Sequence, residues 1–210
     1  MASKPLDPPR DCGLCPRLAT FHAQNRAQHP DWHNAPVPAF GPLDASLLIV
    51  GLAPGLKGAN RTGRPFTGDY AGDLLYATLL KFGLAKGDYA QSKDDGLELL
   101  GCRITNAVRC VPPENKPTPA EVKACADYLR NEIKALTNLK TILVLGRISH
   151  DSTLRALGQK PQAFAFGHAK IHLLPSGIRL VDSYHCSRYN TQTNRLTPAM
   201  FEQAVRTAAQ

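Results

Sequence analysis

The chain has 210 residues, with 25 Lys+Arg against 17 Asp+Glu, a formal net charge of +8. At 43% hydrophobic and 20% charged residues it can bury a core, which excludes a disordered polyelectrolyte and a fibrous class. The surplus of positive charge favours polyanionic partners such as nucleic acid, because each neutralised phosphate releases counterions.

In chain order, residues 1–10 show neither the apolar run of a secretory signal nor the Arg/Ser pattern of a transit peptide, so a cytoplasmic protein is expected. The longest mainly apolar runs, 45–53 and 142–145, fall far short of the ~20 residues of a membrane span, and no membrane association is expected. Cys12 and Cys15 form a C-x2-C pair near the start. A first buried strand is predicted over 46–50, followed by the small-residue turn Gly51-Leu52-Ala53-Pro54-Gly55, whose backbone N–H groups can approach a ligand. The glycine-punctuated loop 58–69 then brings two arginines, Phe66 and Asp69 ahead of a helix predicted over 71–82 and ended by Gly83. That combination suits stacking of a flat base, although Phe66 as a core anchor and Asp69 as a helix cap fit equally well.

A second strand over 102–106 ends in Asn106, whose carboxamide can pair with the N3–H and O4 of a uracil-like edge or simply form a turn. The proline-rich loop 111–117 leads to a helix over 119–136, started by Thr118, Pro119 and Glu121. A third strand is predicted over 141–145, and further strands over 169–174 and 178–183 flank a Pro-Ser-Gly turn. The loop 183–195 is polar, basic and aromatic, suited to a nucleic-acid backbone or to a solvated surface with a structural His185. Strands alternating with helices predict an α/β fold, a three-layer αβα sandwich around a mostly parallel sheet of four or five strands, with the ligand at the strands' carboxyl ends. The chain is expected to be a single domain over 1–210 with an N-terminal metal-ligating segment.

In a cytoplasmic chain Cys12, Cys15, Cys110 and Cys125 read as metal ligands rather than disulfides. The fourteen residues between Cys110 and Cys125 are too many for the paired short knuckles of a zinc ribbon, which favours a structural [4Fe-4S] cluster, with zinc as the second occupant. Cys110 and Cys125 as small core residues remain an open reading, and Cys102 and Cys186 are expected to be packing residues.

The ordered set 51–55, Gly63-Arg64-Pro65-Phe66-Thr67-Gly68-Asp69, Thr105-Asn106-Ala107-Val108-Arg109-Cys110 with its continuation to Pro117, and 185–195 resembles the motifs of the uracil-DNA glycosylase superfamily over nearly the whole chain. The cysteines resemble its iron–sulfur branches, types four and five. Type four resembles Gly-Glu-Ala-Pro-Gly in the first motif; Leu52 stands where that glutamate would lie, and with 60–63 and 190–193 the chain looks like type five.

The resemblance implies a DNA repair enzyme that flips and hydrolytically removes uracil, and also hypoxanthine, leaving an abasic site. It implies catalytic roles for Asp69, which would orient the water, and His185, which would stabilise charge on the base. Gly51, Leu52, Ala53, Phe66, Asn106 and Asn115 would form the base pocket, and Arg188, Tyr189 and Asn190 would meet the DNA. Neither Lys57 nor Lys116 is given a lyase role by the family pattern, so a monofunctional hydrolase is expected. Damaged DNA, single- or double-stranded, is the expected partner, with no organic cofactor and a monomeric state. Two other classes stay open: a noncatalytic four-cysteine nucleic-acid-binding module, and a hydrolase of a small phosphorylated metabolite cradled by the Gly51 loop.

Overall fold

Runs of Leu, Ile and Val covered on both faces build the centre of the molecule, as parallel strands require. The computed structural model describes residues 7–210. The expectation drawn from residues 1–10 therefore rests partly on residues outside the described ones. In chain order the elements are α1 (Pro16–Gln28), β1 (Leu47–Gly51), α2 (Ala59–Thr62), α3 (Tyr70–Lys81), β2 (Ala85–Lys86), β3 (Glu98–Leu99), β4 (Cys102–Asn106), α4 (Pro119–Ala135), β5 (Thr141–Leu145), α5 (Arg147–Ala156), β6 (Ile171–Leu173), β7 (Arg179–Ser183), α6 (Arg188–Gln192) and α7 (Pro198–Ala209). The central sheet has five strands in the order β4-β1-β5-β7-β6. The first four run parallel, and β6 pairs antiparallel with β7 through the tight turn expected between them. Strands β2 and β3 form a separate short antiparallel ladder. Among the described residues no helix is long and apolar enough to cross a membrane.

The two faces of the sheet divide the core by strand periodicity. Leu47, Ile49, Ile104, Leu143, Leu145 and Val181 point to one side, where they pack on Leu75, Tyr76 and Leu79 of α3 and on Phe201, Ala204 and Val205 of α7. Leu48, Val50, Ile142, Val144 and Leu180 point to the other, against Leu129 and Ile133 of α4 and Leu154 of α5. Burial of each such side chain contributes roughly 1.5–3 kcal/mol before chain entropy is counted. Cys102 and Cys186 are fully buried in the first of these cores, as packing residues.

Helix α4 begins with a full capping box: the Thr118 hydroxyl accepts from the Glu121 N–H, and the Glu121 carboxylate accepts from the Thr118 N–H. Helices α1, α2, α5, α6 and α7 lie outside the elements predicted from sequence. Two of them lack the apolar stripe on which such a prediction depends. The buried residues of α1 are Leu18, His22 and Asn25, and those of α5 include Ser149, His150, Ser152 and Thr153. Helix α7 does carry a readable signal, with Thr197 capping, Pro198 in the first turn, and Phe201, Ala204, Val205 and Ala208 at helical spacing.

Candidate active site

The order β4-β1-β5 places a topological switch beside β1, since the chain leaves β1 for one neighbour and returns through β4 to the other. A cavity of about 520 Å³ opens there, at the carboxyl ends of the strands. Leu52 to Gly55 after β1, Phe66 and Asp69 before α3, Asn106 ending β4, Asn115, and His185 after β7 all line it. Arg188 stands at the rim, joined by Tyr70 and Ser187, which the sequence reading did not single out. Their signal is adjacency: Tyr70 follows Asp69, and the Ser187 hydroxyl caps α6.

Gly51 is not in the cavity wall but beneath it. It pairs in register with Asn106, and a Cβ there would lie 2.3 Å from Asn106 Oδ1 and 2.5 Å from Phe66 Cζ. The missing side chain thus lets the Phe66 ring and the Asn106 carboxamide converge. Phe66 has a φ of 54°, in the left-handed region that a bulky residue rarely adopts. Its ring centroid stands 6.0 Å from that of His185, with the planes 29° apart. Asn106 Oδ1 is buried with no hydrogen-bond partner among the described residues, an unmet acceptor that a donor entering the cavity would satisfy.

Asp69 joins the two readings that the sequence left open. It is the N-cap of α3, with Oδ1 accepting from the Gly72 N–H at 3.1 Å. Its Oδ2 lies against the first loop, where a Cβ would come within 3.1 Å at Gly55 and 2.4 Å at Gly58. Burial raises its pKa above the usual carboxylate value, against the opposing pull of the Gly72 and Ala71 N–H groups. His185 is enclosed by protein on most sides, and desolvation pushes its pKa down to about 4, so the ring is neutral near pH 7.

Asn115 reaches the cavity from a short turn in which Glu114 and Asn115 are both left-handed, with φ of 55° and 57°. Tyr189 is 70% exposed beyond the rim, and Arg188 stacks over the Tyr70 ring with its guanidinium carbon 5.5 Å from the centroid. The Asn190 side chain turns inward, donating from Nδ2 to the His185 carbonyl at 2.8 Å, so it braces the histidine loop rather than facing outward. Neither Lys57 nor Lys116 lines the cavity.

The cysteine quartet forms a second site. Cys12, Cys15, Cys110 and Cys125 line one narrow void with Leu18, Val108 and Tyr128. All four are unpaired by disulfide. Burial raises the Cys15 thiol to about 11, with the neighbouring Cys125, Glu121 and Cys12 adding to the effect. Burial and the other three cysteines likewise push Cys110 up. Four thiols in an apolar wall, with the Arg109 N–H donating to Cys125 Sγ at 3.4 Å, fit a thiolate-ligated metal whose positive charge would reverse that penalty.

A third cluster was not anticipated. His150 Nδ1 meets Asp182 Oδ1 at 2.6 Å, His172 Nε2 meets Asp182 Oδ2 at 3.1 Å, and all three residues are buried. A tetrahedral zinc at about 2.0 Å from each atom would hold its ligands roughly 3.3 Å apart. The shorter contact is therefore a hydrogen bond, and the network anchors the end of β7 just before His185.

A family model described as the Uracil DNA glycosylase superfamily matches residues 38–209. The chain is 45% identical over 196 residues to the type-5 uracil-DNA glycosylase of Thermus thermophilus, covering 90% of this chain and 89% of that protein. It is 37% identical to the type-5 enzyme of Pyrobaculum aerophilum, over 95% of this chain and 88% of that one. The type-4 enzyme of the same organism is 35% identical over 60% of this chain and 57% of its own length. With the cavity at the sheet's switch point and a family match across nearly all of its length, the chain belongs to the uracil-DNA glycosylase superfamily.

Proposed function

We propose that the protein removes uracil from DNA by hydrolysing its N-glycosidic bond, as a monofunctional glycosylase of the type-5 kind. The observation that carries this reading is the partnerless, buried Asn106 Oδ1 beside the Phe66 ring. A uracil seated on that ring would donate N3–H to Oδ1 and accept at O4 from Nδ2, which pays back the unmet acceptor. Breaking the bond makes the sugar oxocarbenium-like and leaves negative charge on the base. His185, neutral at working pH, donates a hydrogen bond to O2 from its one ring N–H, and the amides of the first loop add to that stabilisation. Asp69 holds water on its free oxygen and offsets the sugar's positive charge, taking the part that Leu52 cannot play. Asn115 supports the pocket. Arg188 and Tyr189 enter the DNA and occupy the space of the flipped nucleotide. Leu52 and a cavity of about 520 Å³ also leave room for a purine, so hypoxanthine is proposed as a second substrate.

Cys12, Cys15, Cys110 and Cys125 would hold a [4Fe-4S] cluster, whose contribution is to fasten the N-terminal segment to the loop after β4. In this reading residues 1–210 are one domain, since Arg17 grips Glu121 through two 2.8 Å bonds and Asp7 meets the buried Arg109.

A single-turnover assay on duplexes carrying uracil, hypoxanthine or no lesion, followed by alkaline scission, tests the proposal. Lesion-specific scission is expected, and Asp69→Ala should lower its rate by about 100-fold or more with DNA binding retained. Tight binding without scission in the wild type would return Asp69 and His185 to structural roles.

A further inference from the structure

The strained Phe66 and the carboxylate of Asp69 sit on one short stretch of loop, and that stretch is gripped from outside the cavity. Arg64 begins it, and its side chain is 4% exposed; the Asp95 side chain that meets it is 1% exposed. The contact is bidentate, at 2.7 and 2.8 Å, and Asp95 also accepts from the Ala90 and Leu97 N–H groups. Phe40, Tyr76 and Tyr89 surround the guanidinium, their ring centroids 5.1, 5.3 and 5.8 Å from its carbon. From within this cage Arg64 Nε donates to Thr67 Oγ1 at 2.8 Å, and the Tyr76 hydroxyl donates to the Pro65 carbonyl at 2.6 Å. The Tyr89 hydroxyl donates to the Phe66 carbonyl at 3.3 Å and accepts from the Gly68 N–H at 3.4 Å. On the far side the Phe66 carbonyl presses on the first turn of α3, where a Cβ at Gly72 would stand 1.7 Å from it.

Asp95 and Tyr89 come from the connection between β2 and β3, whose residues 91–94 are exposed. A bidentate, desolvated pair fixes direction as well as distance, and ring packing removes the remaining freedom of the guanidinium. None of the three residues lines the cavity.

We infer that Arg64, Asp95 and Tyr89 are positioning residues for excision: the β2–β3 connection acts as a clasp that holds Phe66 in its left-handed conformation and Asp69 at the reacting bond. The inference rests on the glycosylase reading for its catalytic consequence, while the clasp itself has a mechanical signature. Released, the 66–69 stretch relaxes toward an ordinary backbone conformation, and a shift of about 1 Å at catalytic groups costs up to about 100-fold in rate.

The test compares Tyr89→Phe, which removes one oxygen, and Asp95→Asn, which removes the charge but keeps the shape, with Asp94→Asn at the exposed neighbouring position. Single-turnover rate and half-saturating DNA concentration are measured on a uracil duplex, with hydrogen exchange of the 66–72 amides in the free, metal-replete protein. The expected result is faster exchange of 66–72 in both clasp variants, a rate lowered by about 5-fold for Tyr89→Phe and about 50-fold for Asp95→Asn, unchanged half-saturation, and an Asp94→Asn protein that behaves as wild type. Unchanged exchange of 66–72 in both variants overturns the clasp whatever the activity. So does a fall in DNA affinity at constant rate, or an equal effect from Asp94→Asn. A wild type that excises nothing sinks the glycosylase reading alone, and exchange then decides the clasp by itself.

Discussion

Asp69 lines the cavity while one of its oxygens caps α3 and the other lies against Gly55 and Gly58. Its burial has a consequence for pH. A carboxyl whose pKa is raised takes up its proton earlier as the solution is acidified, so the ionised form needed for the water step is lost above the usual carboxylate range. His185, pushed down to about 4 by desolvation, begins to charge only as the solution nears that pH. On the proposed role of Asp69, the excision rate is expected to begin its fall on the acid side above the pH at which a free aspartate titrates, and that early onset should vanish in Asp69→Asn. A rate-against-pH profile of the two proteins checks this. Gly51 gives a second residue-level expectation. With Asn106 Oδ1 and the Phe66 ring both within 2.5 Å of where a Cβ would stand, Gly51→Ala should push the pair apart and cut uracil excision by at least about 10-fold. Thermal unfolding would show a smaller loss, roughly 1–3 kcal/mol from overpacking.

Among elements, α4 forms a junction with α1, the segment before it and β4 through ion pairs. Besides the Arg17–Glu121 fork, the fully buried Arg109 lies between Asp7 and Glu132, and Glu132 also pairs with Arg103 on β4. Removing one partner of such a buried set leaves a bare charge, which costs far more than the intact pair contributes. The four cysteines sit on this junction. Cys110→Ser is expected to lose iron, measured by metal analysis, together with the broad absorbance near ~400 nm of a thiolate-bound cluster. It should also expose the α1–α4 contact to proteolysis; full metal content would show that the quartet is misassigned. The His150–Asp182–His172 network plays the corresponding part at β7, and Gly167 adds an N–H to Asp182 Oδ2 at 3.1 Å.

At the scale of the whole molecule, the net charge of +8 predicts strong salt dependence. Duplex affinity should weaken by at least about tenfold between roughly 50 and 200 mM salt, whereas the rate at saturating protein should hardly move, because the bound complex has already released its counterions. A titration series in salt separates the two. The parallel strands and the loops that follow them were legible because a buried strand is written as a local apolar run, because Asn106 and His185 stand at or just after the ends of such runs, and because Asp69 stands immediately before a helix. The expected sheet of four or five strands proves to have five, mostly parallel. The clasp at Arg64 was not legible, since Asp95 lies 31 residues away and nothing local marks it as a partner. Helix α5 was hidden for a different reason: its buried face is largely Ser, Thr and His, which find their acceptors only in the finished fold. The Arg17–Glu121 contact spans 104 residues, and that distance imposes an order of events at the ribosome. Helix α1 is synthesised before its docking surface, which is not complete until α4 follows, so while the residues between them are made the Cys12–Cys15 pair is carried on an undocked segment. On the proposed cluster reading, metal loading would come late, as a closing step on a chain whose sheet is already partly built.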